Sequence, residues 1–365
     1  MRVLVAPDCF GGTLTALEAA EAIAAGWRRT APADDLLLRP LADGGPGFVE
    51  VLHGALGGDI HEARVTGPLG QTVTARWLAH DGTAYIESAQ ACGLHLTDRR
   101  DPELSTTYGV GELIADACKA GLRTAVVGLG GSGTTDGGAG MIRALGGHVT
   151  DDTGAPIGPG GTDLARVDKV VLPEVGIALV AASDVENPLL GRHGAARTFG
   201  PQKGADDEAV ERLEAGLTRW AEVLGPDVHD RPGAGAAGGL GAGLLALGAE
   251  FTSGSALVRT LTRLDEALDE ARLAITGEGS FDWQSLRGKL ITAVAAGAAE
   301  RGVPCLVLAG QVSVGRREAG AVGVEQSYAV AEHAGSVAAA MADPAGTLAA
   351  LAADVAGQWS RANGS

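Results

Sequence analysis

The stretch from residue 128 to residue 141, GLGGSGTTDGGAGM, restricts the possible folds more than any other part of the sequence. It follows a short apolar, β-branched run at residues 124–127 and precedes a helix-like segment at residues 139–145. A strand, a glycine loop and a helix in this order let backbone N–H groups close around an anion at the helix N-terminus. A tight, close-packed turn would need the same glycines, so this stretch alone favours neither interpretation.

Short apolar strands and helices alternate along most of the chain. The first strand and helix fall at residues 3–6 and 15–27, and the alternation resumes with a helix near residues 109–120. Between them, residues 62–88 show short alternating strands with a hairpin signal at Asp81-Gly82. Because 365 residues exceed one ordinary core, we predict two α/β domains with mainly parallel sheets and a first boundary near residue 60.

Charge and cysteine content narrow the class of protein. The net charge of −17 argues against nucleic acid and anionic membrane surfaces as partners, although a local cationic site for an anionic substrate remains compatible with it. The four cysteines are scattered without a C-x-x-C pair, which favours reduced thiols over a disulfide framework. The N-terminus does not resemble a signal peptide, and no apolar stretch approaches the length of a membrane span. We therefore expect a cytoplasmic protein.

Acidic residues recur where predicted strands end. The pattern Asp-Gly-Gly-x-Gly occurs twice before a helix, at residues 43–47 and 136–140. Further acids at predicted strand ends are Asp8, Asp184, Glu278 and Asp282. Carboxylates at the C-terminal edge of a parallel sheet can hold Mg²⁺ and accept the proton of a hydroxyl, as phosphoryl transfer requires. Each acid alone is more simply a helix cap or an Asx turn, but their recurrence favours a site.

Two lysines and a second glycine-rich run are further candidates. Lys203 and Lys289 lie in glycine-containing, non-helical segments, where each could neutralise phosphoryl charge or simply be a solvated surface lysine. The run at residues 233–243 is equally compatible with helix packing through small residues and with a ligand role. No histidine or cysteine has the spacing of a zinc site.

Taken in order, these motifs resemble those of the class I glycerate kinase family, bacterial enzymes that phosphorylate D-glycerate with ATP. The matching stretches are residues 6–14, 41–45, 107–114, 128–141, 184–189, 199–205, 233–243 and 276–289. The resemblance spans residues 1–355, nearly the whole chain.

The resemblance implies both an architecture and an activity. It implies a Rossmann-like domain from residues 1–60 and 288–365, and an inserted flavodoxin-like domain at residues 61–287. The active site would lie in the cleft between them. The implied reaction is the ATP- and Mg²⁺-dependent phosphorylation of D-glycerate to 2-phosphoglycerate, in a monomer or homodimer.

Specific residues follow from the motifs and the resemblance together. We predict catalytic roles for Asp184, Lys289, Asp43 and Asp8; Asp184 and Asp43 would supply the general base and the Mg²⁺ ligands, in an order that the sequence leaves open. The predicted residues for binding substrate or phosphate are Gly44, Gly45, Gly130, Gly131, Ser132, Asp136, Gly137, Lys203, Glu278 and Asp282.

The sequence departs from the family pattern at several of these motifs. The family has Lys, Glu, Thr, Asn and Arg where this chain has Gly11, Pro46, Phe48, Thr135 and Ser280, respectively. These departures remove cations and an acid from the implied cleft. Two alternatives therefore stand beside glycerate phosphorylation: a kinase of another small hydroxy compound, and an inactive paralogue that binds a metabolite.

Overall fold

A computed structural model describes residues 1–286 and 290–362 of the chain. The strands within these residues are β1 (Arg2–Val5), β2 (Asp35–Leu38), β3 (Asp59–Thr66), β4 (Thr72–His80), β5 (Thr83–Glu87), β6 (Thr124–Gly128), β7 (His148–Thr150), β8 (Lys169–Val171), β9 (Ala178–Ala182), β10 (Glu250–Thr252), β11 (Leu273–Thr276), β12 (Ser280–Phe281), β13 (Cys305–Ala309), β14 (Gln311–Val312) and β15 (Val324–Ala329). The α-helices are α1 (Ala16–Thr30), α2 (Phe48–Leu56), α3 (Ala89–Cys92), α4 (Tyr108–Lys119), α5 (Ala139–Ala144), α6 (Ala195–Phe199), α7 (Asp207–Leu224), α8 (Pro226–His229), α9 (Ala236–Ala246), α10 (Gly254–Leu261), α11 (Leu264–Glu270), α12 (Leu290–Ala299), α13 (Arg316–Ala321), α14 (Val330–His333), α15 (Val337–Ala342) and α16 (Pro344–Ala362).

The first of two compact units contains residues 1–42, 50–56 and the chain from residue 255 onward. Its sheet is parallel throughout, in the strand order β15-β13-β11-β1-β2. The spacing of Thr15 and Glu18 in the sequence predicts a capping box, and helix α1 begins with one: the side chains of Thr15 and Glu18 each accept a backbone N–H. It packs on α16, and its buried Ile23 and Trp27 join the core on one face of this sheet.

The second unit contains Asp43–Val49 and Gly57–Gly254. Its main sheet has the order β10-β9-β6-β5-β4-β3, of which β5, β6, β9 and β10 run parallel and β3, β4 and β5 form antiparallel pairs. The predicted hairpin lies between β4 and β5, where Asp81 and Gly82 both have positive φ. The mixed α/β class with mainly parallel sheets is therefore as predicted.

The boundaries of the units differ from the predicted division at residues 60 and 287. Strand β11, which that division assigned to the inserted domain, pairs with β1 and β13 and thus belongs to the first sheet. The cause is strand pairing between distant parts of the chain, which a local change in pattern does not reveal. The Rossmann-like and flavodoxin-like descriptions of the two domains stay predictions.

Helix α7 shows how the second unit buries its apolar residues. Its N-cap, Asp206, accepts the backbone N–H of Ala209, and two acids occupy the first helical turn. The sequence spacing predicts one apolar stripe, of which Val210, Leu213, Leu217 and Trp220 are buried and Leu224 is partly buried. Among the described residues, no helix is long and apolar enough to cross a membrane.

Candidate active site

Two glycine loops pack against each other at the C-terminal edge of the sheet in the second unit. Gly44 O accepts the N–H of Gly130 at 3.1 Å, which joins the loop at residues 43–47 to the loop after β6. The backbones approach so closely that a Cβ on Gly130 would overlap Gly45, and a Cβ on Gly128 would overlap Gly44. Close packing thus explains why these four positions are glycine, as the turn interpretation expects. The same packing determines the position of the solvent-facing end of the second loop.

Gly131 and the buried Ser132 form that end of the loop. Gly131 is exposed, and among residues 1–286 and 290–362 neither its N–H nor that of Ser132 has a hydrogen-bond acceptor. Two adjacent backbone N–H groups beside a serine hydroxyl can bind an oxyanion. The binding role of Gly131 and Ser132, at the start of the glycine-rich stretch, is compatible with this geometry and stays a prediction.

Lys203 brings a buried cation to this end of the loop. Its Nζ donates to Oγ of Ser132 at 3.2 Å and to the carbonyl oxygen of Thr134 at 2.6 Å, and its side chain is only 2% exposed. Burial lowers the pKa of the Lys203 ammonium to about 8. Burial also raises the pKa of the neighbouring Cys92 thiol to about 12, which makes this cysteine unreactive at neutral pH. The cluster thus offers a cation and no thiolate nucleophile.

Asp136, a predicted binding residue, forms its hydrogen bonds inside the protein. Its buried carboxylate accepts N–H and Oγ1–H from Thr107, Oγ1–H from Thr106, and N–H from Gly138 and Gly140, at 2.8–3.3 Å. Burial raises the pKa of this carboxyl, while the hydrogen bonds act in the opposite direction. The N–H groups at the start of α5, expected to hold a substrate anion, are thus occupied by the chain's own carboxylate.

Gly137 is likewise enclosed. Its N–H donates to Gly238 O at 3.1 Å, and its carbonyl accepts the indole N–H of Trp220 at 2.9 Å. The run at residues 233–243 therefore supports the loop from behind, through a left-handed segment at Ala237, Gly238 and Gly239 inside α9. Asp136 and Gly137 have structural contacts in this arrangement, and their predicted binding roles stay predictions.

Asp43 and Asp184 present exposed carboxylates at the same sheet edge. Oγ of Ser253 donates to Oδ1 of Asp184 at 2.5 Å, and Gly254, the next residue, packs directly on the carbonyl oxygen of Asp43. Oδ1 of Asp43 also accepts the N–H of Gly45 at 3.0 Å. Because Gly44 packs against both Ala182 and Gly128, the same loop lies beside the strand end that leads to Asp184. The structure thus groups the two predicted acids with the glycine loops.

Glu87 is a buried acid at this edge that the sequence analysis did not single out. Its Oε2 accepts the N–H groups of Gly47 at 3.1 Å and Val49 at 3.5 Å, at the start of α2. Burial raises the pKa of its carboxyl to about 7, against backbone hydrogen bonds that lower it. Its position at the end of β5 is the same signal that identified the other acids, but the alternating pattern around it indicated only a strand.

Three further predicted residues, Asp8, Glu278 and Asp282, lie in the first unit. Asp8 follows β1, its N–H donates to Gly277 O at 2.8 Å, and its Oδ1 accepts the N–H of Cys9. Glu278, after the adjacent β11, accepts the hydroxyl of Ser285, and Asp282 accepts the N–H of Gln284 at 2.7 Å. Asp8 and Glu278 follow the adjacent strands β1 and β11 of the first sheet, Asp282 follows β12 of the small sheet with β14, and all three acids are half-buried. Lys289 lies outside the described residues, so its predicted role stays a prediction.

The positions that depart from the family pattern have defined surroundings. Pro46 packs its ring on Gly131, and Phe48 is buried edge-on to Tyr85 with ring centroids 6.3 Å apart. The Thr135 hydroxyl is buried and has no hydrogen-bond partner among the described residues. Gly11 is exposed, and a Cβ there would have no described atom within 4 Å. Phe48 is thus part of the core, Pro46 is exposed and covers Gly131, and Gly11 leaves space open.

The acidic residues at the sheet edge of the second unit have the ligand type that Mg²⁺ requires. Asp43 and Asp184 supply exposed carboxylate oxygens, the ligand type that Mg²⁺ prefers. Among the described residues no group of three or more His, Cys, Asp and Glu side chains could hold a metal ion. The residues therefore suit an ion held by one or two carboxylates and completed by phosphate oxygens, not an all-protein cage.

The chain is similar to known proteins over most of its length. A glycerate 2-kinase of Escherichia coli (strain K12) is 43% identical over 86% of this chain and 86% of its own length. An uncharacterized protein of Mycobacterium tuberculosis (strain CDC 1551 / Oshkosh) is 48% identical over 93% of this chain and 87% of its own.

A solved structure and a family profile extend the match to the whole chain. A crystal structure described as a glycerate kinase 2 from Salmonella typhimurium LT2 superposes with a TM-score of 0.80 at 37% identity, covering 99% of both chains. The sequence profile of the glycerate kinase family matches residues 3–360. The chain therefore belongs to the glycerate kinase family.

Proposed function

We propose that this protein transfers the γ-phosphoryl group of ATP to D-glycerate and forms 2-phosphoglycerate. The observation that carries the proposal is the grouping of exposed Asp43 and Asp184 with the glycine loops, in a chain of this family. Phosphoryl transfer needs positioned oxygen ligands, a proton acceptor and a cradle for phosphate, and this edge offers all three kinds of group.

One carboxylate of the pair acts as the general base. It takes the proton of the acceptor hydroxyl as that oxygen bonds to the γ-phosphorus, and the bond from the γ-phosphorus to the bridging oxygen breaks to release ADP. The other carboxylate would hold Mg²⁺, which would offset charge on the phosphate oxygens. Asp184, whose Oδ1 already accepts a hydrogen bond from Ser253, has one fixed orientation for either role.

Backbone N–H groups and Lys203 bind the phosphate groups. The N–H groups of Gly131 and Ser132 and the hydroxyl of Ser132 donate to phosphate oxygens. Lys203 holds Ser132 and adds positive charge from a buried position, where electrostatic effects are larger than in water. Its hydrogen bond to Thr134 O keeps this charge in place before substrate arrives, so little reorganisation is needed. We further propose a cytoplasmic protein that acts as a monomer or homodimer.

The test is an assay of ADP release from ATP and D-glycerate, with ³¹P NMR to distinguish 2- from 3-phosphoglycerate. We expect Asp184→Asn and Asp43→Asn each to lower kcat by about 100-fold or more. Asp152→Asn, which changes an exposed aspartate in the same unit, is the matched control and retains activity. A folded wild-type protein that binds ATP but releases no ADP with D-glycerate contradicts the proposal.

A second candidate is a kinase of a different hydroxy compound. The observation that favours it is Pro46, which packs on Gly131 where the family glutamate would stand, so the anion site has an apolar rim. A panel of small hydroxy acids and uncharged polyols, compared by kcat/KM, separates the two. D-glycerate as the best acceptor excludes this alternative, and a bulkier or uncharged acceptor as the best one supports it.

A further inference from the structure

The second unit contains a cavity of about 480 Å³ that the proposed reaction does not use. We name it the Arg143 pocket; its walls include Thr66, Arg99, Leu104, Thr106, Tyr108 and Arg143. None of Gly131, Ser132, Lys203, Asp43 and Asp184 lines it. Its volume lies in the range of pockets that bind small metabolites.

The charge of this pocket is opposite to that of the protein. The chain carries 45 acidic and 28 basic residues, excluding histidine, yet the described residues that line the pocket include two arginines and no acid. A cationic cavity in a strongly anionic protein concentrates anions locally. The lining therefore selects for a negatively charged ligand.

Arg143 is the arginine with uncompensated charge. Arg99 pairs with Asp101 at 2.5 Å, whereas Arg143 forms no salt bridge within residues 1–286 and 290–362. Its one hydrogen bond in that part of the chain joins Nη1 to Gly158 O at 3.3 Å, and this bond ties down one edge of the guanidinium. The remaining N–H groups are directed donors of the kind that bind carboxylate and phosphate in pairs.

The rest of the wall combines hydroxyls with apolar surface. The hydroxyl of Tyr108 has no hydrogen-bond partner among the described residues, and Leu104 is 48% exposed although it lies at a cavity. A ligand with an anionic group and a small apolar body would satisfy both features. It would also contact Thr106, whose Oγ1 donates to the buried Asp136 carboxylate.

We propose that the Arg143 pocket binds a small organic anion, with its phosphate or carboxylate on Arg143 and its apolar body against Leu104. The inference does not depend on the kinase activity, because it uses neither Asp43 nor Asp184. The bound species is an organic phosphate or carboxylate with a small apolar portion. The product of the proposed reaction, 2-phosphoglycerate, has the anionic groups without that portion and is therefore the comparison ligand.

The test measures binding of phenyl phosphate, inorganic phosphate and 2-phosphoglycerate to the full chain by isothermal titration calorimetry. We expect Arg143→Gln to weaken phenyl phosphate binding about tenfold or more, the effect of losing a charged hydrogen bond. Arg64→Gln is the matched control, because it removes an exposed arginine of the same unit from outside the pocket. Lys203→Met removes the candidate anion site and should leave this binding unchanged.

Several outcomes would overturn the proposal. Absence of phenyl phosphate binding to the wild type, or equal loss in Arg143→Gln and Arg64→Gln, contradicts it. Loss only in Lys203→Met assigns the probe to the active site instead. If Arg143→Gln does not fold, Arg143→Lys and Arg99→Gln replace it, and unchanged binding in both contradicts the proposal. If inorganic phosphate binds as tightly as phenyl phosphate, the apolar contact with Leu104 contributes nothing and that part of the inference is wrong. If inorganic phosphate binds more weakly, the apolar contact is supported.

A kinase assay run in parallel separates this inference from the proposed function. If binding depends on Arg143 but the protein has no kinase activity, the proposed ligand site in the pocket stands and the proposed kinase function is wrong. Tighter binding of phenyl phosphate than of 2-phosphoglycerate supports an occupant with an apolar portion, and the reverse contradicts the apolar part of the inference.

Discussion

Nζ of Lys203 lies 3.2 Å from Oγ of Ser132, so a buried ammonium directly holds the hydroxyl at the exposed end of the glycine loop. A second hydrogen bond, to Thr134 O at 2.6 Å, fixes the same ammonium from the other side of the turn. Burial lowers the pKa of Lys203 to about 8, so the side chain is largely protonated at neutral pH. The positive charge at the anion site is therefore part of the fold, not a flexible surface charge.

Lys203→Met tests this relationship. We expect kcat/KM for ATP to fall about 100-fold or more, because the charge and the hydrogen bonds to Ser132 and Thr134 are lost together. Lys203→Arg should restore activity only in part, since the larger guanidinium does not fit a space shaped for an ammonium. Steady-state kinetics measure the effect, with Lys169→Met, an exposed lysine on β8, as control. Activity of Lys203→Met equal to that of the control would show that Lys203 is structural only.

The contact between Gly130 and Gly45 leads to a second prediction. Gly130→Ala would place a methyl group against the backbone of Gly45, so the two loops must separate. We expect a loss of about 2 kcal/mol in the free energy of unfolding, as for an overpacked core, together with a marked fall in kcat. Gly54→Ala is the control: Gly54 lies inside α2 with open space around it, and alanine there should stabilise the helix by about 0.5–1 kcal/mol. Urea unfolding compares the two, and equal stabilities would disprove the close contact.

Local patterns predicted much of the fold and the general place of the site. The Thr15–Glu18 capping box and the buried stripe of α7 depend on neighbouring residues, and both form as expected. The roles of the glycines depend on what lies opposite each one. Gly137 packs under Trp220, 83 residues away along the chain, and no local pattern carries that information.

The sequence alone also does not reveal the environment of an acidic residue, as Asp136 and Glu87 show. Asp136 stands in the expected loop, but its five hydrogen bonds inside the protein include partners from residues 106 and 107. Glu87 meets the N–H groups of Gly47 and Val49 only because β5 ends beside the start of α2. Whether an acid faces solvent, as Asp184 does, or the interior is set by tertiary packing, which a strand-end rule does not include.

Glu87→Gln should change the pH dependence of stability. Burial raises the pKa of Glu87 from its ordinary value of 4.5 to about 7, so between these values the folded protein binds more protons than the unfolded chain. The stabilising contribution of this group is therefore complete below pH 4.5 and is lost as the pH rises through 7. Glutamine does not titrate, so the stability of the variant relative to the wild type should rise by up to about 3 kcal/mol across that window.

Urea unfolding at pH 5 and pH 7.5 measures this change for Glu87→Gln and for Glu186→Gln, an exposed glutamate of the same unit. If stability relative to the wild type changes no more between pH 5 and pH 7.5 in Glu87→Gln than in the control, Glu87 is charged in the folded protein at pH 5. Activity provides a second readout, because Gln retains one oxygen that can accept the N–H groups of Gly47 and Val49. A fall in kcat without a change in stability at pH 7.5 would indicate that the negative charge itself positions the loop.

Gly11→Lys restores the cation that the family pattern has at this position. Gly11 is exposed, its φ is not in the left-handed region, and a Cβ there would have no described atom within 4 Å, so the unfolding free energy should change by less than about 0.5 kcal/mol. If the substrate carboxylate lies near this loop, the added ammonium should lower KM for D-glycerate about tenfold, which corresponds to about 1.4 kcal/mol. Gly11→Gln, of similar length but uncharged, is the control. An equal fall in KM in both variants would attribute the effect to side-chain length. No fall in either would mean that this chain binds its acceptor without a cation at position 11, as the second candidate function requires.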